Sequence, residues 1–143
     1  MEKAENSAYA PKGVETMPVS RKILIVEDEL AVMLSVIDTM DNVGYEIVRA
    51  YNGKECMRII CTGFVPDLIL LDIMLPDISG FEVYTDLRSL PALKKTKIAA
   101  FTALGSKDMI EKMNTLGFDA IFLKPYSPEK LISAIKSLLG KTN

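Results

Sequence analysis

Leu68-Ile-Leu-Leu-Asp-Ile-Met-Leu-Pro76 opens with an unbroken apolar run and meets a single acid at Asp72. A run without polar alternation is what a strand covered on both faces requires, as in a parallel sheet. Working outward, Ile23–Val26, Ile98–Phe101 and Ala120–Leu123 read the same way. A fifth candidate strand, Glu46–Ala50, is interrupted by Glu46 and Arg49. That polarity suits a strand at the rim of the sheet.

Helical patterns fill the intervals. The first places Leu30, Met33, Leu34 and Ile37 at helical spacing and closes near Gly44. The second opens at Asn52, with Glu55 positioned for a reciprocal cap, and stops at Gly63. Ser79 with Glu82 repeats that opening for the third, which ends before Pro91. Ser106 and Gly117 bound the fourth. Ser127-Pro128 opens the fifth, whose Leu131, Ile135, Leu138 and Leu139 form one apolar stripe before Gly140. Strand and helix alternating five times predict an α/β fold: a doubly wound, five-stranded parallel sheet with right-handed crossovers. Residues 1–20, with Pro11, Gly13 and Pro18 and no apolar period, read as a flexible tail. Residues 21–140 form the domain, and 141–143 a short C-terminal end with no room for an output domain.

Composition narrows the chemistry. The chain of 143 residues carries 17 basic and 19 acidic side chains, far from the basic excess that direct nucleic-acid binding needs. It has no histidine, which excludes a Ser-His-Asp triad, His-ligated zinc and an imidazole base. Cys56 and Cys61 fall on different faces of one predicted helix, and read as buried small apolar residues of a reducing compartment. No apolar run reaches the length of a membrane span and no signal-peptide pattern opens the chain, so no membrane insertion and a cytoplasmic location are expected.

In a doubly wound sheet, ligands bind beyond the carboxyl ends of the strands. Glu27 and Asp28 follow the first strand, Asp72 the third, Thr102 the fourth and Lys124 the fifth. Each has an ordinary reading taken singly: Asp28 or Glu29 as a helix cap, Thr102 as a structural hydroxyl, Lys124 as a solvated loop residue. Their convergence on one rim is not predicted by those readings. Three crowded carboxylates call for a hard cation with oxygen ligands, for which magnesium is suited. Lys124 can pair with Asp72 or with an anion attached to it.

The segments Ile23-Leu-Ile-Val-Glu-Asp-Glu29 and Leu70-Leu-Asp-Ile-Met-Leu-Pro76 with Gly80, the Phe101-Thr-Ala103 strand end and the Leu123-Lys-Pro125 turn together resemble the receiver domain of two-component response regulators, over roughly residues 21–140. The resemblance implies a flavodoxin-like (βα)5 fold, of the kind found in chemotaxis regulators, with strand order 2-1-3-4-5. It implies that Asp72 takes a phosphoryl group from a phosphohistidine on a histidine kinase or histidine phosphotransfer protein. Glu27, Asp28, Asp72 and the backbone carbonyl of Met74 would hold Mg2+ or Mn2+, with Glu27 acting through water. Thr102 and Lys124 would contact phosphoryl oxygens. Thr102 and Phe122 would form a switch, although Phe122 is read equally well as ordinary core of strand five. By the same resemblance Lys124-Pro125 is often cis, and the face of helix four, strand five and helix five would meet a downstream protein.

Catalysis of phosphoryl transfer rests on positioning and charge neutralisation, which these groups supply, so the chain would be a self-phosphorylating signalling acceptor rather than an enzyme. Met74 and Leu104 would flank the path of an attacking water without orienting it, which predicts a long-lived acyl phosphate. The alternative is a receiver-like adaptor that binds a partner without phosphorylation. A flavodoxin would need a glycine-rich phosphate cradle where Glu27, Asp28 and Glu29 stand. A phosphatase of the haloacid dehalogenase type would need an acid where Met74 stands.

Overall fold

A computed structural model describes residues 20–140; the expected tail, apart from Ser20, and residues 141–143 lie outside the described residues. Five parallel strands form one sheet in the order β2-β1-β3-β4-β5. They are β1 (Lys22–Val26), β2 (Glu46–Ala50), β3 (Leu68–Leu71), β4 (Lys97–Thr102) and β5 (Ala120–Leu123). The helices are α1 (Leu30–Asp41), α2 (Gly53–Cys61), α3 (Gly80–Arg88), α4 (Lys107–Leu116) and α5 (Pro128–Leu139), with a 3-10 turn at Pro91–Leu93. Order and class are those expected, with polar β2 at one rim.

Strand alternation splits the core into two layers. Ile23, Ile25, Leu68, Leu70, Ala99 and Phe101 pack with Met33, Val36 and Met40 of α1 and Leu131 and Ile135 of α5. Their strand neighbours, including Leu24, Val26, Ile69 and Leu71, pack with residues of α2, α3 and α4. The central strands are sealed on both sides, which is why their sequences carry no polar alternation. β5 is equally apolar yet forms the other rim: its residues are only partly buried, and Leu123 is exposed.

Four local expectations are corrected. On α1 the core-facing stripe is Met33, Val36 and Met40, whereas Leu30 and Leu34 are exposed. This helix is apolar nearly all round, so spacing alone selects its inner face poorly. On α2 the Asn52 side chain accepts from the Glu55 N–H, but the Glu55 carboxylate accepts from the Tyr51 N–H rather than closing on Asn52. On α3 the Ser79 hydroxyl accepts from the Phe81 N–H, and Glu82 makes no return bond among the described residues. Cys56 is buried as expected, its thiol pushed up to about 12 by burial, but Cys61 is exposed.

Candidate phosphoacceptor site

The site is an extension of the sheet. Beyond the end of β1, the Glu27 N–H donates to the Ala50 carbonyl, and the Asp72 N–H donates to the Val26 carbonyl, both at 3.0 Å. The Lys124 N–H donates to the Thr102 carbonyl at the same distance. Parallel pairing therefore continues one step past each strand and fixes three functional backbones. Leu71 pairs with Ala100, so Thr102 stands one residue beyond the level of Asp72 on the neighbouring strand.

Both oxygens of Asp72 are engaged. Oδ1 accepts from the Met74 N–H at 2.9 Å and Oδ2 accepts from Lys124 Nζ at 2.9 Å. Lys124 Nζ also donates to Glu27 Oε1, while Glu27 Oε2 accepts from the Glu29 N–H. Glu27 and Asp72 are buried, and Asp28 is exposed. Burial pushes the Glu27 carboxyl up, and the bonds from Lys124 and Glu29 only partly reverse this. Burial pulls Lys124 down, but its bonds to Glu27 and Asp72 hold the ammonium above its ordinary range.

Neither Asp28 nor Glu29 serves as the helix cap considered from sequence. Glu29 holds the N-cap position of α1 without a side-chain bond, and Asp28 makes no hydrogen bond among the described residues. Instead one carboxylate oxygen from each of Glu27, Asp28 and Asp72 lies within 4.8 Å of the other two. One ammonium faces three carboxylates, and the open side belongs to Asp28. An all-oxygen donor set with uncompensated negative charge fits a hard divalent cation.

Thr102 is fully buried, and its Oγ1 accepts from the Leu104 N–H at 3.2 Å. Its hydroxyl proton stays available for donation. The expected partnership with Phe122 is not supported. Along β4 the side chains alternate, Phe101 belonging to the layer of α1 and α5, so Thr102 points to the opposite layer. Phe122 packs with Phe101's layer, and Ile121 packs on the α4 side with Leu104, Met109 and Ile110. The residues of β5 on Thr102's face are therefore Leu123, its register partner, and Ile121. The Lys124–Pro125 peptide bond is cis.

Three supporting residues went unread in the sequence. Asp77 accepts from the N–H groups of Gly53, Lys54 and Ile78, each at 2.9 Å, joining the loop after β3 to the start of α2. Tyr126 reaches α1 through its hydroxyl, 2.7 Å from Ser35 Oγ. Gly80 was noted only as part of a motif, and its necessity is steric. A Cβ there would lie 2.5 Å from the Asp72 carbonyl oxygen and from Ile73 Cα.

A parallel sheet whose carboxyl edge gathers an acidic triad, two of its members buried and paired with one lysine, is the arrangement of two-component receivers. The profile of the response regulator receiver domain matches residues 23–136, and the chain belongs to that family. It is 37% identical over 120 residues to the polar-differentiation response regulator DivK of Brucella anthropi, covering 84% of this chain and 97% of that one. It is 35% identical over 124 residues to the probable transcriptional regulator ycf27 of Cyanophora paradoxa, covering 85% of this chain. The chain spans about half the length of that relative, 49%. Among solved structures it resembles chemotaxis response regulator CheY4 of Vibrio cholerae, with a TM-score of 0.77, 26% identity, and coverage of 84% of this chain and 99% of that one. A CheY-like receiver domain protein of Methanospirillum hungatei aligns with a TM-score of 0.76 and 31% identity, covering 84% and 94%. Among the described residues no helix is long and apolar enough to cross a membrane.

Proposed function

We propose that Asp72 is the phosphoryl acceptor of a two-component relay, receiving its phosphate from a phosphohistidine of a histidine kinase or histidine phosphotransfer protein. The observation that carries this reading is the setting of Asp72: a buried carboxylate oriented by the Met74 N–H and Lys124, inside a three-carboxylate cluster. An Asp72 oxygen forms a bond to phosphorus as the phosphorus–nitrogen bond of the donor breaks, and the imidazole nitrogen keeps the electron pair and is protonated from solvent. The donor histidine lies outside these 143 residues, which contain none.

Glu27, Asp28, Asp72 and the Met74 carbonyl would hold Mg2+ or Mn2+, with Glu27 acting through water. The cation supplies neutralisation of phosphoryl and carboxylate charge. Thr102 donates its hydroxyl to one phosphoryl oxygen and Lys124 pairs with another. The domain spans residues 21–140 in a cytoplasmic protein. Its output lies on the face of α4, β5 and α5, where α4 has Met113 as its one fully buried residue and is loosely embedded. Met74 is exposed and Leu104 half-buried, and neither side chain can orient a water for attack on the acyl phosphate. The phosphorylated form accordingly persists. Decay in magnesium buffer over minutes or longer is expected, and loss within seconds would contradict it.

Incubation with acetyl phosphate and Mg2+ tests the core of the proposal. The intact chain should incorporate phosphate, and both Asp72→Ala and removal of the cation with chelator should abolish incorporation. An adaptor that works without phosphorylation would bind its partner equally well as Asp72→Ala and incorporate nothing in either form.

A further inference from the structure

Lys124 is held at its tip by Glu27 and Asp72, but a four-carbon side chain needs more than its tip fixed to stand in one place. The structure surrounds it with aromatic support. Its ammonium lies 5.2 Å from the centroid of the fully buried Phe101 ring. The Tyr126 ring meets Phe101 edge-on, with centroids 5.5 Å apart. Tyr126 stands two residues after Lys124, and its hydroxyl lies 2.7 Å from Ser35 Oγ and 3.3 Å from Thr39 Oγ1, both on α1. Thr39 is itself tied to the helix by a bond to the Ser35 carbonyl at 2.9 Å.

We infer that Tyr126 is a positioning residue for Lys124, anchored on α1. Its ring holds Phe101 against the lysine from one side, and its hydroxyl fastens the segment after Lys124 to the helix that starts beside Glu27 and Asp28. The cation–π and edge-on contacts are each weak, and so depend on ring placement. The Ser35–Tyr126–Thr39 bonds supply that placement. Two sides of the site, the acids leading into α1 and the lysine leading into α5, are thereby locked by one side chain. The inference rests on the phosphoacceptor reading of Asp72.

Tyr126→Phe keeps the ring and removes the anchor, and Ser35→Ala removes the nearer anchor partner from an exposed position. Two readouts decide the matter: the ammonium resonance of Lys124 in nitrogen-15 lysine NMR, and the rate of phosphorylation by acetyl phosphate at saturating Mg2+. In the intact chain the Lys124 signal should be protected from solvent exchange. Both variants should lose that protection and slow phosphorylation by roughly fivefold, the scale of one lost hydrogen bond. The double variant should be no slower than Tyr126→Phe alone, because the bond that Ser35→Ala breaks is already absent in Tyr126→Phe. An unchanged Lys124 resonance in a folded Tyr126→Phe overturns the inference, as does an additive double variant. If Tyr126→Phe fails to fold, Ser35→Ala alone decides by the same two readouts. Failure of the phosphoacceptor reading would look different: the intact chain itself would take up no phosphate.

Discussion

Glu27 shows most clearly how a single residue sets the behaviour of the site. Burial raises its carboxyl pKa, so it takes up a proton at higher pH than it would in the unfolded chain. The sign follows from linkage: the contribution of this group to stability is fully present below its unfolded pKa and is lost as pH rises through the folded value. A divalent cation beside it competes with that proton. Magnesium affinity should therefore weaken on acidification from a higher pH than an ordinary glutamate would set, and Glu27→Gln should flatten that part of the profile. A cation titration followed by tyrosine fluorescence measures both. Gly80 acts through shape alone. In Gly80→Ala the new methyl meets backbone at Asp72 and Ile73, which cannot swing aside. A loss of about 1–3 kcal/mol in urea unfolding is expected.

The convergence of Glu27, Asp28, Asp72, Thr102 and Lys124 on one rim was legible in the sequence because each follows an apolar run, and a parallel sheet brings such ends together. Phe122 was not. Whether it shares a face with Thr102 depends on which β4 and β5 residues pair, and only the register Phe101 to Phe122 settles that. Tyr126 and Asp77 were missed for a related reason. Their partners, α1 hydroxyls and the α2 N-terminus, are distant in sequence and carry no pattern that announces them.

At the scale of elements, the start of α2 depends on a residue outside it. Asp77 accepts from Gly53 and Lys54, whose N–H groups the helix cannot satisfy itself. Burial acts to raise its carboxyl, but the backbone N–H groups of Lys54, Gly53 and Ile78 together bring it below its ordinary range. Its stabilising contribution is thus present above its unfolded pKa and lost as pH falls through the folded value. Asp77→Ala should cost about 1 kcal/mol at neutral pH, a typical cap value, and the deficit should shrink in acid. Chemical denaturation of both forms at the two conditions checks this. Helix α1 illustrates the reverse case, where a surplus of apolar residues hid the true inner face. Exposed Leu30 and Leu34 fit the apolar spacing as well as Val36 and Met40 do, and only packing against β1 distinguishes them.

For the whole molecule, strand order and layer assignment follow from a few features the sequence displays openly. Sealed central strands are continuous in apolar character, and polar β2 lies at an edge. The second edge was hidden because β5 is apolar without being fully covered. That half-covered edge lies beside α4 and α5, the face proposed for output. The sheet in turn delivers Glu27, Asp72 and Lys124 to one rim by continuing its pairing past each strand. The claim on which all of this bears is that phosphate becomes attached to Asp72 as an acyl phosphate. Borohydride reduction of the phosphorylated chain, followed by peptide mapping, converts such a carboxyl to homoserine and reports its position. Homoserine at position 72 and at no other acid is the predicted result. Homoserine at position 28, or a borohydride-resistant phosphate on Thr102, would contradict it.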